Sequence, residues 1–192
     1  MLRVMQSGFR IALLTGSVGL AACSSSSTTA TPATGDAGTS TASVPNCTSS
    51  GKGAFATYGA TAFVAVNESI FTNVLADKSG MLGGSFGKIG SGNPASTSDD
   101  LATFKGNLAA FLVYAYGGPT SIQYTDGKTY MGPQDMTEAH TGLAITSDQY
   151  DYFIANIVVP ALTSNGVPTG DVSSCFAPVV TSAAFKASIV GK

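Results

Sequence analysis

The chain has 192 residues, a formal net charge of −2 and only 10% charged residues, with 23 glycines and no tryptophan. Both arginines, Arg3 and Arg10, lie within the first ten positions; of nine basic residues that leaves seven lysines against eleven carboxylates, a net −4. With no arginine or basic cluster beyond Arg10, a nucleic-acid partner is excluded, and the single histidine, His140, excludes a multi-histidine metal site.

Residues 1–22 read as a secretory signal. Arg3 and Arg10 make a basic start, Ile11 to Leu14 and Val18 to Leu20 make a short apolar stretch, and small residues follow. The stretch is too short and too interrupted to form a stable transmembrane helix. Its end, Leu20-Ala21-Ala22-Cys23, resembles a bacterial lipobox, which implies cleavage before Cys23 and lipid attachment to it; a plain signal is the alternative. Residues 23–46 are rich in Ser, Thr, Ala, Gly and Pro without apolar periodicity, as in a tether. Its flexible residues would reach roughly 25 Å. The folded domain is therefore expected over 47–192, facing the periplasm or the cell exterior. With Cys23 given to lipid, Cys47 and Cys175 remain for an oxidising compartment, and a disulfide between them is expected; two free thiols are the alternative.

Within the domain the periodicity is helical. Phe63, Val66, Ile70, Phe71 and Val74 share a face over about Ala60 to Asp77. Leu101, Phe104, Leu108, Phe111, Leu112 and Ala115 form a second stripe, with Ser98 as cap and Asp99 and Asp100 in the first turn. Met81 to Ala95 is glycine-rich and irregular, and Thr120 to Tyr130 reads as a loop. Tyr150, Phe153, Ile154, Ile157, Val158 and Leu162 make the clearest stripe. It starts at a Thr146/Gln149 capping box, is kinked at Pro160 and stops at Asn165-Gly166-Val167-Pro168. Val172, Cys175, Phe176, Val179 and Val180 predict a last helix containing Pro178. The class is all-α, with long connections that suggest something else fills the middle.

Two stretches offer chemistry. Gly83-Gly84-Ser85-Phe86-Gly87 fits G-x-S-x-G, and Ser85, Asp126 and His140 occur in hydrolase order. A nucleophile elbow needs a strand before its serine, however, and here a helix precedes it. Around His140, Gly132-Pro133 opens a short helix, Met136 and His140 share one face, and Gly142 closes it. A histidine bonded to a backbone group with no further role is the alternative.

The sequence resembles group I truncated haemoglobins, the two-over-two globins. The matching stretches are Phe71 to Asp77, Phe111 to Pro119 ("FLVYAYGGP"), Met136 to Thr146 ("MTEAHTGLAIT"), Gly166-Val167-Pro168 and Ala177-Pro178. The resemblance implies a two-over-two helical sandwich with a short degenerate helix presenting His140 as the proximal ligand of a haem iron. One imidazole with an open position opposite suits a gas ligand: oxygen, carbon monoxide or nitric oxide. The imidazole's other nitrogen is expected to donate to a carbonyl one turn earlier, near Met136. Met136, Phe153 and Ile157 would form the proximal wall.

On the distal side the resemblance places Phe71, Phe104 and Leu108 where the family often carries tyrosine or glutamine, with Asn67 as the first alternative donor and Asn107 the second. A lost donor towards oxygen costs about 1–3 kcal/mol, so fast oxygen release, easy autoxidation and relatively better carbon monoxide binding are expected. Lys105 and Lys128 are the candidate partners of the haem propionates. The expected function is oxygen or other diatomic binding at the cell envelope. A haem carrier or sensor without oxygen transport is the alternative, and a serine hydrolase using Ser85 the remote one. Nitric oxide or peroxide chemistry is compatible with the family, but an enzymatic role is not required.

Overall fold

The computed structural model describes residues 44–84 and 100–192. The expected signal, tether residues 23–43 with lipidated Cys23, Ser85, Ser98 and Asp99 lie outside these residues, while Asn46 at the tether's end bridges Gly53. Helix α1 (Ala54–Ala76) opens the fold. Gly59 breaks it with φ +71°, a left-handed conformation that glycine adopts without a Cβ penalty. The regular part therefore begins at Ala60, and Phe63, Val66, Ile70, Phe71 and Val74 are all buried along it.

Helix α2 (Leu101–Ala115) is capped by Asp100, whose carboxylate accepts the Thr103 N–H at 2.7 Å. The expected first-turn position of Asp100 is thereby corrected: it precedes the helix. Two faces of α2 have different tasks. Gly106, Ala109, Ala110 and Val113 are fully buried against neighbouring elements, whereas Phe104, Leu108, Phe111 and Leu112 face a cavity. At Gly106 an added Cβ would lie 2.3 Å from the Tyr130 ring, so only glycine permits that approach.

Tyr130 belongs to a hairpin where the sequence suggested a loop. Strands β1 (Ser121–Gln123) and β2 (Thr129–Met131) pair antiparallel, with Ile122 opposite Tyr130. Gly127 takes φ +80° at the turn. Ile122, Tyr124 and Tyr130 point inward, and Gln123, Thr129 and Met131 are exposed. The Asp126-Gly127 turn and this alternation carried the signal, but each strand is too short to stand out.

Helix α3 (Met136–His140) starts at Asp135, which accepts the Thr137 and Glu138 N–H groups at 2.9 and 3.0 Å. Helix α4 (147–164) starts at the expected capping box: Gln149 N–H donates to Thr146 Oγ1 at 3.2 Å, and Thr146 N–H to Gln149 Oε1 at 2.9 Å. It ends at Asn165, with Gly166 at φ +82°. Helix α5 (169–180) follows, and α6 (Ala183–Ala187), which the sequence did not signal, completes the fold.

The prolines inside α4 and α5 act alike. Before Pro160, the Val159 N–H reaches back to Ile154 O, and before Pro178 the Ala177 N–H reaches Val172 O, each a π-type bond. A proline ring crowds the carbonyl four residues back, and widening the preceding turn makes room for it. The expected kinks are thus π-turns at Ile154–Val158 and Val172–Phe176. Apart from the hairpin and an isolated bridge between Asn46 and Gly53, the regular elements among the described residues are helices, and the class is all-α. Helix α1 packs against α2 and α4, and α4 against α5. Among the described residues no helix is long and apolar enough to cross a membrane.

Candidate functional site

A cavity of about 560 Å³ lies among α1, α2, α3, α4, α5 and α6, within the range of small-molecule and cofactor sites. Its walls are mostly aromatic and aliphatic. Phe63, Ile70, Phe71 and Val74 come from α1, Phe104, Leu108 and Phe111 from α2, and Phe153, Ile154 and Val158 from α4. This explains why much of the α2 stripe is only half-buried although apolar: those side chains border space instead of neighbours.

His140 reaches this space from the end of α3. Its Nδ1–H donates to Met136 O at 2.7 Å. That bond fixes the tautomer and leaves Nε2 as the lone-pair nitrogen, with no hydrogen-bond partner among the described residues. Burial pushes the imidazole's pKa down, with the Met136 bond opposing, so the ring is held neutral and able to donate a lone pair. Met136 and Phe153 also line the cavity.

Three tyrosines also border the cavity, but their hydroxyls are engaged. Tyr116 donates to Phe176 O at 2.9 Å, Tyr150 to Val180 O, and Tyr58 to Asp171 Oδ2 at 2.5 Å. The tyrosines therefore present hydrocarbon to the cavity. Asn107 and Gln134 are its amide-bearing residues, and Asp135 and Glu138 sit at its edge.

Phe71, Phe104 and Leu108 line the cavity together, with the two phenyl rings in T-shaped contact at 5.7 Å. Asn67 does not. It is fully buried on the other side of α1, where Nδ2 donates to Lys105 O at 3.1 Å and Tyr124 Oη at 3.0 Å. With its donors so committed, Asn67 is corrected from cavity donor to packing residue; its Oδ1 has no partner among the described residues. Ile157 is corrected likewise. It is 2% exposed and absent from the cavity wall, while its carbonyl accepts from Asn73 Nδ2 at 3.0 Å. The π-turn shifts the helix phase, so Ile154 and Val158 take the wall positions.

The lysines expected to meet carboxylates of a ligand are also occupied elsewhere. Lys105 pairs with Glu68 at 2.6 Å and lies 5.2 Å over the Phe71 ring, and Lys128 lies 3.7 Å from Asp126. Neither borders the cavity. Asp126 also accepts the Tyr130 hydroxyl at 2.7 Å, while the His140 Nδ1–H goes to a carbonyl. The Asp–His contact of the hydrolase alternative is therefore not formed.

A second polar cluster lies around Asp171. Cys47 and Cys175 are joined by a disulfide, with Cα atoms 4.8 Å apart. Beside it, fully buried Asp171 accepts Thr48 Oγ1–H and Ser49 N–H, both at 2.9 Å, together with the Ser49 and Tyr58 hydroxyls. The Ser49 and then Tyr58 hydroxyls hold its carboxyl well below the usual range. Burial and then Asp171 push the Tyr58 phenol up to about 12. Sequence reading missed this cluster because Asp171 lies 122 positions from Ser49.

No protein-family model and no curated protein matches the chain. Among solved structures, it is similar to a truncated haemoglobin from Tetrahymena pyriformis, a mutant in its Fe(III) form. The two share 22% identity over 69% of this chain and 92% of that one, with a TM-score of 0.49.

Proposed function

We propose that this chain is an exported haem-binding globin of the truncated, two-over-two kind. In this reading it is anchored by lipid at Cys23 and binds oxygen or another diatomic gas at the cell envelope. The observation that carries it is His140. The chain's single histidine has Nδ1 locked to Met136 O and Nε2 left for a ligand, at the wall of an apolar cavity of about 560 Å³.

The residues fit this group. Among the described residues no cluster of three His, Cys, Asp or Glu side chains could hold a bare metal ion. A metal taken up here must bring most of its own ligands, and an apolar slot with one imidazole suits a flat macrocycle that does so. Haem supplies an iron that accepts one axial nitrogen and keeps a position open for a gas. His140 would provide that nitrogen, Met136 O would orient the ring, and Met136 and Phe153 would exclude water beside it. Phe71, Phe104 and Leu108 would face the gas with no donor among them, which favours carbon monoxide and fast oxygen release.

A carrier role is the second reading. It is favoured by the absence of any lysine from the cavity wall among the described residues, since haem carboxylates would then lack a cation to hold them. The lipid anchor needs no spanning helix, so export and anchoring rest on the N-terminal sequence alone.

The test is haem titration of the purified soluble part, followed by absorbance. A Soret band that saturates near one equivalent and is lost in His140→Ala supports the proposal. No uptake, with Ser85 labelled by a serine-reactive probe, replaces it with the hydrolase reading.

A further inference from the structure

The charged carboxylates bordering the cavity, Asp135 and Glu138, would repel an anionic occupant, and no cation among the described residues offsets them there. Closure of the apolar wall would then add to retention beside the His140 bond. The C-terminal segment provides such closure. After Ser182 caps α6, Phe185 and Ile189 turn into the cavity wall, and Phe185 stacks on Phe111 at 5.9 Å. Ile189 joins Ile145 and Tyr150 in a small apolar cluster separate from the main core.

The same segment is fastened directly beside the histidine helix. Ala144 N–H donates to Lys192 O at 2.7 Å and Gly191 N–H to Ile145 O at 2.9 Å. That loop follows at once from α3, with Leu143 N–H donating to His140 O at 3.1 Å. Lys186 pairs with both Asp151 oxygens at 2.6 and 2.8 Å, bridging α6 to α4. Among the described residues the attachment thus comprises two backbone bonds, one ion pair whose Lys186 also lies 5.7 Å over the Tyr150 ring, the Phe185–Phe111 stack and a minor apolar cluster. Segments held by few contacts are those that open below the global unfolding free energy.

We infer that residues 182–192 form a strap over the histidine end of the cavity, latched by Asp151 and Lys186, that sets how fast an occupant enters and leaves. Opening it would uncover the Phe111 and Tyr150 side of the wall without unfolding α1 or α2. The strap would add burial at a wall where no cationic side chain is found among the described residues.

Two rates test this: release of haem to excess apomyoglobin from the loaded protein, and entry of the apolar dye ANS into the haem-free full chain. The first rests on the function proposed above; the second does not. Lys186→Glu and Asp151→Lys should each raise both rates about two- to fivefold, the range open to an exposed pair, and the double reversal should restore them. Phe185→Ala should raise them about tenfold through loss of the stacked ring. Unchanged rates in all variants, or a double reversal that fails to restore them, overturn the strap. If the protein takes up no haem while dye entry still responds, the haem reading fails and the strap stands.

Discussion

Asp171 and His140 are both polar groups set into an apolar interior, and they are finished in opposite ways. Asp171 has its carboxylate oxygens met by Thr48, Ser49 and Tyr58, next to a disulfide that pins the start of the domain to α5. His140 has one nitrogen met by Met136 O and the other left beside a cavity. An unmet nitrogen at a cavity wall is free to meet a ligand, whereas the fully met carboxylate of Asp171 belongs to the packing. Tyr58 makes the contrast within one residue: its ring borders the cavity while its hydroxyl belongs to the Asp171 cluster.

The strongest way to break this contrast is at the joint. Replacing Cys47 and Cys175 together with alanine removes a link spanning 128 positions. It should lower stability by about 2–5 kcal/mol, read from urea unfolding midpoints, while haem stoichiometry is kept. If stability held and haem uptake failed, the joint would be part of the binding site.

Across the cavity, in the haem reading, Phe71→Tyr would place a donor where Phe71, Phe104 and Leu108 supply none. A bond worth about 1–3 kcal/mol should slow oxygen release roughly tenfold to a hundredfold, measured by stopped-flow. An unchanged rate would mean that another cavity residue already serves as the donor.

Asp171→Asn sharpens the contrast by pH. The folded carboxyl sits below its ordinary range, so its stabilisation is fully present above about pH 4. That stabilisation is lost as pH falls through the lower folded value. The variant should melt earlier than the parent at pH 7, the gap should close in acid, and haem uptake should persist. A gap that widened in acid would reverse the assigned direction.

Much of the fold was legible because its signals are local. The apolar stripes of α1, α2 and α4 repeat within one helix face, and the Thr146/Gln149 box needs only four residues. The His140–Met136 bond was legible for the same reason, being one helical turn long. The hairpin escaped because three-residue strands hold too little alternation to outweigh a loop reading. Asn67 and Ile157 were misplaced because each sits on an apolar face whose direction depends on its neighbours. Asn67 turns to Tyr124 and Lys105 on partners that only the folded hairpin and α2 bring close. Ile157 moves with a π-turn that the sequence announced only as a proline kink.

By itself, then, the sequence determined helices α1, α2 and α4, the capping box and stop of α4, and the one-turn bond from His140 to Met136, since these depend on neighbours within a few positions. Tertiary structure alone decided which apolar side chains border open space and which pack against each other. It also decided that the lysines pair away from the cavity, and that residues 182–192 close over it. Those outcomes depend on contacts between segments far apart in the chain, and no local periodicity encodes them.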